Sequence, residues 1–115
     1  MAFQHADLAN GKWFELSLCE QLGNIGSEIG RARKWQNKNE SIYESAVFRA
    51  VELIDLTLSD SRWKKRYKEI ARAKECIGDA FYGGKQFNSS FESLEKYFFH
   101  FAYAARNSQH QLNSL

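Results

Sequence analysis

The chain has 115 residues, of which 43% are hydrophobic and 15% are aromatic, and its formal net charge at neutral pH is +2. This composition excludes a disordered chain, and so small a charge does not by itself indicate nucleic-acid binding. The sequence has no proline, which favours long helices, and no apolar run approaches the roughly 20 residues that span a bilayer.

The N-terminal segment, MAFQHADLANGK, has neither the basic start nor the apolar stretch of a secretory signal. Two cysteines, Cys19 and Cys76, do not make a disulfide framework, and we expect both to be small buried side chains. These features predict a cytoplasmic protein with no membrane association. We expect an N-terminal arm over residues 1–16, a four-helix bundle over residues 17–108 and a tail over residues 109–115.

Four helix starts are visible. Three carry the Ser-x-x-Glu capping box, in which the two side chains satisfy free backbone N–H groups. They are Ser17–Glu20, Ser41–Glu44 and Ser89–Glu92. The fourth is predicted at Asp60 or Ser61, and Gly83 and Gly84 are predicted to end that helix. Because the loops are short, neighbouring helices should be antiparallel, and the predicted fold is an all-α, up-down-up-down four-helix bundle.

Apolar residues recur every three or four positions behind each start, as on the buried face of a helix. The predicted core positions are Leu18, Leu22, Ile25, Ile29 and Ala32; Val47, Ala50, Ile54 and Thr57; Trp63, Tyr67, Ile70, Ala73 and Ile77; and Phe91, Leu94, Phe98, Phe101 and Ala105.

The first predicted helix contains three glycines, Gly23, Gly26 and Gly30, which lie on one face beside the apolar stripe. Phosphate-binding loops place their glycines at a strand-to-helix turn with a different spacing. We therefore interpret the glycines as positions where another helix packs closely, and we expect that helix to be the fourth.

Charged residues also occur within the apolar pattern. Asp55 lies among apolar positions of the second helix, while Arg31, Arg49 and Arg72 each stand beside alanine. The prediction is a partly buried salt-bridge network that fixes which helices face each other. An acid–base site with shifted pKa values is the alternative.

The basic stretch RWKKRYK, residues 62–68, opens the third predicted helix. Cations at a helix N-terminus oppose the helix dipole, so something else must favour them. The partners could be Asp55 and Asp60 of the same chain, or a nucleic-acid backbone with Trp63 or Tyr67 stacking on a base. The nucleic-acid hypothesis uses five cations: Arg62, Lys64, Lys65, Arg66 and Lys68.

A second basic cluster closes the first helix, at the opposite pole of the predicted bundle, so the two clusters do not form one groove. Its members are Arg31, Arg33, Lys34 and Lys38.

The fourth predicted helix has more aromatic residues than its core stripe needs. Phe99 and Tyr103 lie four residues apart on another face, which a single bundle does not bury. An apolar face of this kind points to a protein interface. The alternative is that the N-terminal arm covers this face with Trp13, Phe14 and Leu16.

No residue pattern indicates catalysis or a metal. The sequence has no Glu-x-x-His pair of the kind that binds metals in bundles, and we expect His100 to be solvated and His5 to lie in the arm. Ribonucleases of the HEPN type are also helical bundles, in which four to six residues lie between Arg and His. Arg106 and His110 depart from that pattern, having three intervening residues.

Three blocks resemble a family of short prokaryotic proteins: EQLGNIGSEIGRARKW, FRAVELIDLTLSD and KYFFHFAYAAR. The resemblance spans about residues 13–106, leaves residues 1–12 outside, and implies a helical fold without a biochemical mechanism. In architecture alone, the predicted bundle is also similar to the accessory proteins of diversity-generating retroelements, which oligomerise and bind nucleic acid together with a reverse transcriptase.

The sequence therefore predicts a non-enzymatic interaction or adaptor module that self-associates and uses no cofactor or metal. Its partner is a protein or a second copy of the chain. A nucleic-acid-binding accessory protein is the first alternative, and a HEPN-type ribonuclease-like bundle is the second.

Overall fold

The computed structural model describes the backbone of residues 11–113 and the side chains of residues 11–107. Within these residues lie four α-helices: α1 (Leu18–Trp35), α2 (Glu40–Leu58), α3 (Tyr67–Phe81) and α4 (Phe91–Asn113). Two short 3-10 helices, Lys12–Glu15 and Ser61–Arg66, precede α1 and α3. The four α-helices form an antiparallel bundle, which confirms the predicted fold class. Helix α1 packs extensively on α2 and on α4, whereas α3 packs mainly on α2.

The N-terminus of α1 has the predicted capping box. The Glu20 backbone N–H donates a hydrogen bond to Ser17 Oγ, and the Ser17 N–H donates one to Glu20 Oε1, both at 3.1 Å. Each bond satisfies a backbone donor that the helix itself leaves free.

Helix α2 begins before its predicted capping box, so the prediction of Ser41–Glu44 as the cap is wrong. The cap is Asn39, whose Oδ1 accepts a hydrogen bond from the Ile42 N–H at 3.1 Å. Asparagine is among the best capping residues, and its position two residues earlier lets the helix include Glu40 and Ser41.

The capping box predicted for α4 is also displaced by one residue. The Ser93 N–H donates to Ser90 Oγ and the Ser90 N–H donates to Ser93 Oγ, both at 3.1 Å. Ser90 thus replaces Ser89 as the cap, and the serine hydroxyl at position 93 performs the reciprocal role predicted for Glu92. Ser89 is engaged elsewhere, because its N–H donates to the Asp79 carboxylate.

The start of the third helix is irregular. Asp60 is its cap, as predicted, and accepts a hydrogen bond from the Arg62 N–H at 3.1 Å. The next six residues form a 3-10 helix in which Trp63 has non-helical dihedral angles, φ −107° and ψ 23°. The α-helix begins only at Tyr67, so most of the basic run precedes it and does not lie in its first turns.

The α3–α4 connection is organised by Asp79, a buried residue near the end of α3. Its carboxylate accepts hydrogen bonds from the backbone N–H groups of Gln86, Phe87 and Ser89, at 2.8 to 3.0 Å. Burial alone would raise the pKa of Asp79, but these three donors outweigh burial and lower it. The loop therefore holds an ionised carboxylate that fixes where α4 begins.

One core joins all four helices. It contains the predicted stripes except for Tyr67, which is exposed, and Trp63, which is half-buried. Trp13, from the 3-10 helix that precedes α1, has no exposed surface and belongs to this core. Residues 11–16 of the predicted arm therefore pack on the bundle, while residues 1–10 lie outside the described residues. Helix α4 continues to Asn113, beyond the predicted boundary at residue 108.

Candidate interaction site

The outward face of α4 carries two large exposed aromatic side chains. Phe99 is 70% exposed and Tyr103 is 59% exposed. The described part of the arm does not cover them, because Trp13 is inserted in the core and Phe14 and Leu16 pack against it. Among residues 11–107, the face predicted as an interface is thus open to solvent.

Two of the three glycines of α1 lie against α4. A Cβ atom at Gly26 would be 3.3 Å from Phe98 Cβ, which is tighter than ordinary contact, and one at Gly30 would collide with the Glu95 carboxylate. At Gly23 a Cβ would meet no described atom within 4 Å, so the prediction of close packing is wrong for this glycine. Gly23 is exposed at the surface of α1.

The open space at Gly23 is part of a shallow groove of about 230 Å³ between α1 and α4. Gly23, Gly26 and Ser27 form its α1 side, and Phe98, Phe99 and Ala102 lie on its α4 side. The groove is therefore lined by small or apolar groups along most of its length, and exposed Phe99 stands at its edge.

The cations of the basic run, residues 62–68, divide into two arginines with acidic partners in the chain and three lysines without one among the described residues. The Arg62 guanidinium donates to both oxygens of Asp60, at 2.7 to 3.2 Å, and to the Leu16 carbonyl at 2.7 Å. The hydrogen bonds to Asp60 raise the pKa of Arg62. Arg66 lies 3.5 Å from Glu69 and 5.1 Å from the centre of the Phe101 ring. The Arg62 side chain is consequently held by hydrogen bonds within the chain, and the Arg66 side chain is partly occupied by its contacts with Glu69 and Phe101.

Lys64, Lys65 and Lys68 are exposed, and none forms a salt bridge within the described part of the chain. Tyr67, the residue between them at the start of α3, is 54% exposed. Trp63, the other predicted stacking residue, is half-buried and donates its indole N–H to Gln21 Oε1 at 2.9 Å. Three lysines and one tyrosine thus remain available to an external anion.

Sequence reasoning missed a buried polar network centred on Gln21. This side chain has no exposed surface, and its amide nitrogen donates to the Trp13 carbonyl at 3.0 Å and to Asp60 Oδ2 at 3.2 Å. The Trp13 indole N–H in turn donates to Thr57 Oγ1 at 3.1 Å. The signal was present in the sequence, because position 21 falls on the buried stripe between Leu18 and Ile25.

Asp60 is the charged member of this network and is almost fully buried. Burial alone would raise the pKa of its carboxyl group, but hydrogen bonds from Arg62 and Gln21 outweigh burial and lower it. The network joins the segment before α1, α1 itself, the end of α2 and the segment that precedes α3.

The predicted salt-bridge network has different partners. Asp55 pairs with Lys74 at 2.6 Å, which links α2 to α3, but both side chains are more than 40% exposed. Arg72 lies 3.5 Å from Glu75 on its own helix and stacks on the Phe87 ring. Arg31 is exposed and Arg49 is half-buried. The cation that reaches Asp55 is thus Lys74, from the middle of α3.

The second basic cluster is partly neutralised by α4. Arg33 forms a salt bridge with Glu95 at 2.7 Å and lies 3.9 Å from Glu92, while Lys34 lies over the Trp35 ring. Lys38 is exposed in the α1–α2 loop.

Of the three histidines considered for metal binding or catalysis, only His100 has a described side chain. His100 is exposed on α4, and His5 and the His110 side chain lie outside the described residues, so the Arg106–His110 pair is not described. Cys19 and Cys76 are free thiols and are half-buried, less buried than predicted. Among the described residues, no three His, Cys, Asp or Glu side chains are placed to hold a metal ion.

Comparison with protein-family models, with curated proteins and with solved structures gives no match to this chain. The resemblance of the three sequence blocks to short prokaryotic helical proteins stays a prediction. Within the described part of the chain, no helix combines the length and the apolar character that crossing a membrane requires.

Proposed function

We propose that the chain is a non-enzymatic interaction module of the cytoplasm that associates with a second copy of itself through the α4 face formed by Phe99 and Tyr103. The observation that carries the proposal is the exposure of these two rings, 70% and 59%, on a helix whose other face is fully used by the core. Aromatic residues are enriched in protein interfaces, where they supply large contact areas.

The first experiment measures molar mass by light scattering after size-exclusion chromatography, over a range of concentrations. We expect a dimer for the wild type and a monomer for the double variant Phe99→Ser, Tyr103→Ser. The helical circular dichroism should be unchanged, because the substituted side chains are outside the core. Tyr82→Ser is the matched control, since Tyr82 is 80% exposed but lies at the end of α3.

Deletion of residues 1–10 tests whether those residues cover the aromatic face instead of a second copy. The dimer should survive the deletion if the cover is another subunit. A wild type that stays monomeric at the highest soluble concentration would refute self-association.

Nucleic-acid binding at the start of α3 is the second function that we propose, and it is supported by a separate observation. Lys64, Lys65 and Lys68 have no acidic partner among the described residues, and Tyr67 between them is exposed. Lysines that contact phosphates together with an aromatic ring that stacks on bases are typical of single-strand binding.

Fluorescence anisotropy with a labelled single-stranded RNA, measured at several salt concentrations, tests this second function. Replacing all three lysines with glutamine should weaken binding, and the slope of log affinity against log salt should fall by about 0.7 for each phosphate that a lysine no longer neutralises. The control replaces Lys34, Lys38 and Lys85, which removes the same charge elsewhere. Equal effects of the two triple variants would contradict a site at the start of α3.

A further inference from the structure

The outward stripe of α1 has opposite charges at its two ends. Glu20, Asn24, Ser27 and Arg31 are all exposed, at the spacing of four, three and four residues that places them in one row. Hydrogen bonds with Ser17 lower the pKa of Glu20 and so favour its ionised form. Neither Glu20 nor Arg31 forms a salt bridge within the described part of the chain.

Two copies of this row that run antiparallel have complementary charges. Glu20 and Arg31 are separated by about 16 Å along the helix, at 1.5 Å per residue. A second copy of α1 that runs antiparallel, with the crossing near Gly26, puts Glu20 of each copy opposite Arg31 of the other. A two-fold axis produces both ion pairs at once, because in such an interface each contact occurs twice.

The crossing point has the shape that a close approach needs. Gly23 leaves open space beside the α1–α4 groove of about 230 Å³. A cavity of about 150 Å³ already accepts a benzene molecule, so the groove has room for a phenyl ring. Phe99 stands at the edge of the same groove and is exposed, so each copy offers both a ring and a receiving groove.

The size of the face is compatible with a dimer of modest area. Helix α1 is about 27 Å long, and two packed helices present a width of about 20 Å. These dimensions correspond to roughly 600 Å² of buried surface per copy, because side chains make the face rougher than a flat rectangle. This area is at the lower limit for specific interfaces.

We propose that the occupant of the α1–α4 face is a second copy of this chain, docked antiparallel across Gly23 and Gly26. Phe99 of each copy fills the groove of the other, and Glu20 of each copy pairs with Arg31 of the other. This arrangement rests on the proposed self-association and adds its geometry.

Charge exchange between two variants tests the arrangement. Glu20→Arg alone and Arg31→Glu alone each place like charges opposite one another in a homodimer, so each should dimerise at least about tenfold more weakly than the wild type. An equimolar mixture of the two variants should dimerise again, because the heterodimer restores both opposite-charge pairs. Light scattering and sedimentation velocity give the association state.

The outcomes separate the geometry from the self-association itself. A monomeric wild type refutes both. A wild-type dimer whose single variants keep full affinity, or whose mixed variants stay monomeric, refutes the antiparallel arrangement and leaves self-association standing. Circular dichroism identifies a variant that fails to fold, in which case Glu20→Gln with Arg31→Gln replaces it, since glutamine retains the capping box and the pair should still weaken dimerisation.

Gly23→Leu tests the groove independently of charge. The side chain has open space within its own copy, so the fold should persist, but it occupies the place of Phe99 from the second copy and should abolish the dimer. Gly78→Leu is the control, because Gly78 also has no described atom near its Cβ position and lies on α3. An undiminished dimer in Gly23→Leu would overturn the proposed insertion of Phe99.

Discussion

Replacing Gln21 with methionine should destabilise the bundle although the two side chains have similar length and volume. The wild-type amide makes three hydrogen bonds, of 2.9 to 3.2 Å, to Trp13, Asp60 and Trp63. A thioether replaces none of them. The prediction isolates the polar network from packing, because the substitution opens no large cavity.

The three hydrogen bonds do not contribute equally. Without Gln21, the Trp13 carbonyl keeps a hydrogen bond from the Leu16 N–H, and Asp60 keeps its bonds with Arg62. The Trp63 indole N–H loses its acceptor but is only half-buried, so water can partly replace the glutamine. A fully unsatisfied buried group costs about 1–3 kcal/mol. Because each former partner of Gln21 keeps another hydrogen bond or can reach water, we expect the free energy of unfolding to fall by about 1–2 kcal/mol.

Thermal and urea unfolding followed by far-UV circular dichroism measure this fall. For a domain of this size, the expected decrease in melting temperature is about 4–8 °C, at about 4 °C per kcal/mol. Gln86→Met is the control, because the exposed Gln86 side chain should change stability by no more than about 0.5 kcal/mol. A Gln21→Met protein as stable as this control would refute the network's contribution to folding.

Two further predictions concern stability. Gly26→Leu should lower the melting temperature, because overpacking against Phe98 costs about 1–3 kcal/mol and improved helix propensity offsets only about 1 kcal/mol. A higher melting temperature for Gly26→Leu than for the wild type would contradict close packing. The lowered pKa of Asp60 means that its ionised form stabilises the fold at pH values above 3.8, the ordinary pKa of the carboxyl group. This stabilisation is lost as the pH falls through the lowered pKa. Urea unfolding at a series of pH values should therefore show stability falling in acid, and Asp60→Asn should flatten that fall; an unchanged pH profile in the variant would assign the acid sensitivity to other carboxyl groups.

The helices could be predicted well from the sequence because buried stripes repeat with the helical period whatever their tertiary partners are. Helix starts are less well determined, since several short polar residues next to each other can act as the cap. Asn39 and Ser90 show this: each lies within two residues of the predicted serine and makes the same type of hydrogen bond.

Tertiary partners cannot be deduced from periodicity. The sequence does not indicate Lys74 as the partner of Asp55, because nothing in it gives the rotation of α3 relative to α2. The exposure of Phe99 and Tyr103, by contrast, follows from the helical period alone, since a helix that already buries Phe98 and Phe101 turns those positions outward. The interface hypothesis thus depends on the part of the structure that sequence determines best.

The contacts of Trp13 and Gln21 also bear on the folding rate. Trp13 meets Thr57 across 44 positions of sequence, and Gln21 meets Asp60 across 39. Such distant contacts require the closure of long loops, which has an entropic cost that grows with loop length. We expect them to form after the transition state, so that their removal accelerates unfolding and leaves the refolding rate nearly unchanged. The polar network would then determine how long each folded molecule persists more than how quickly it forms.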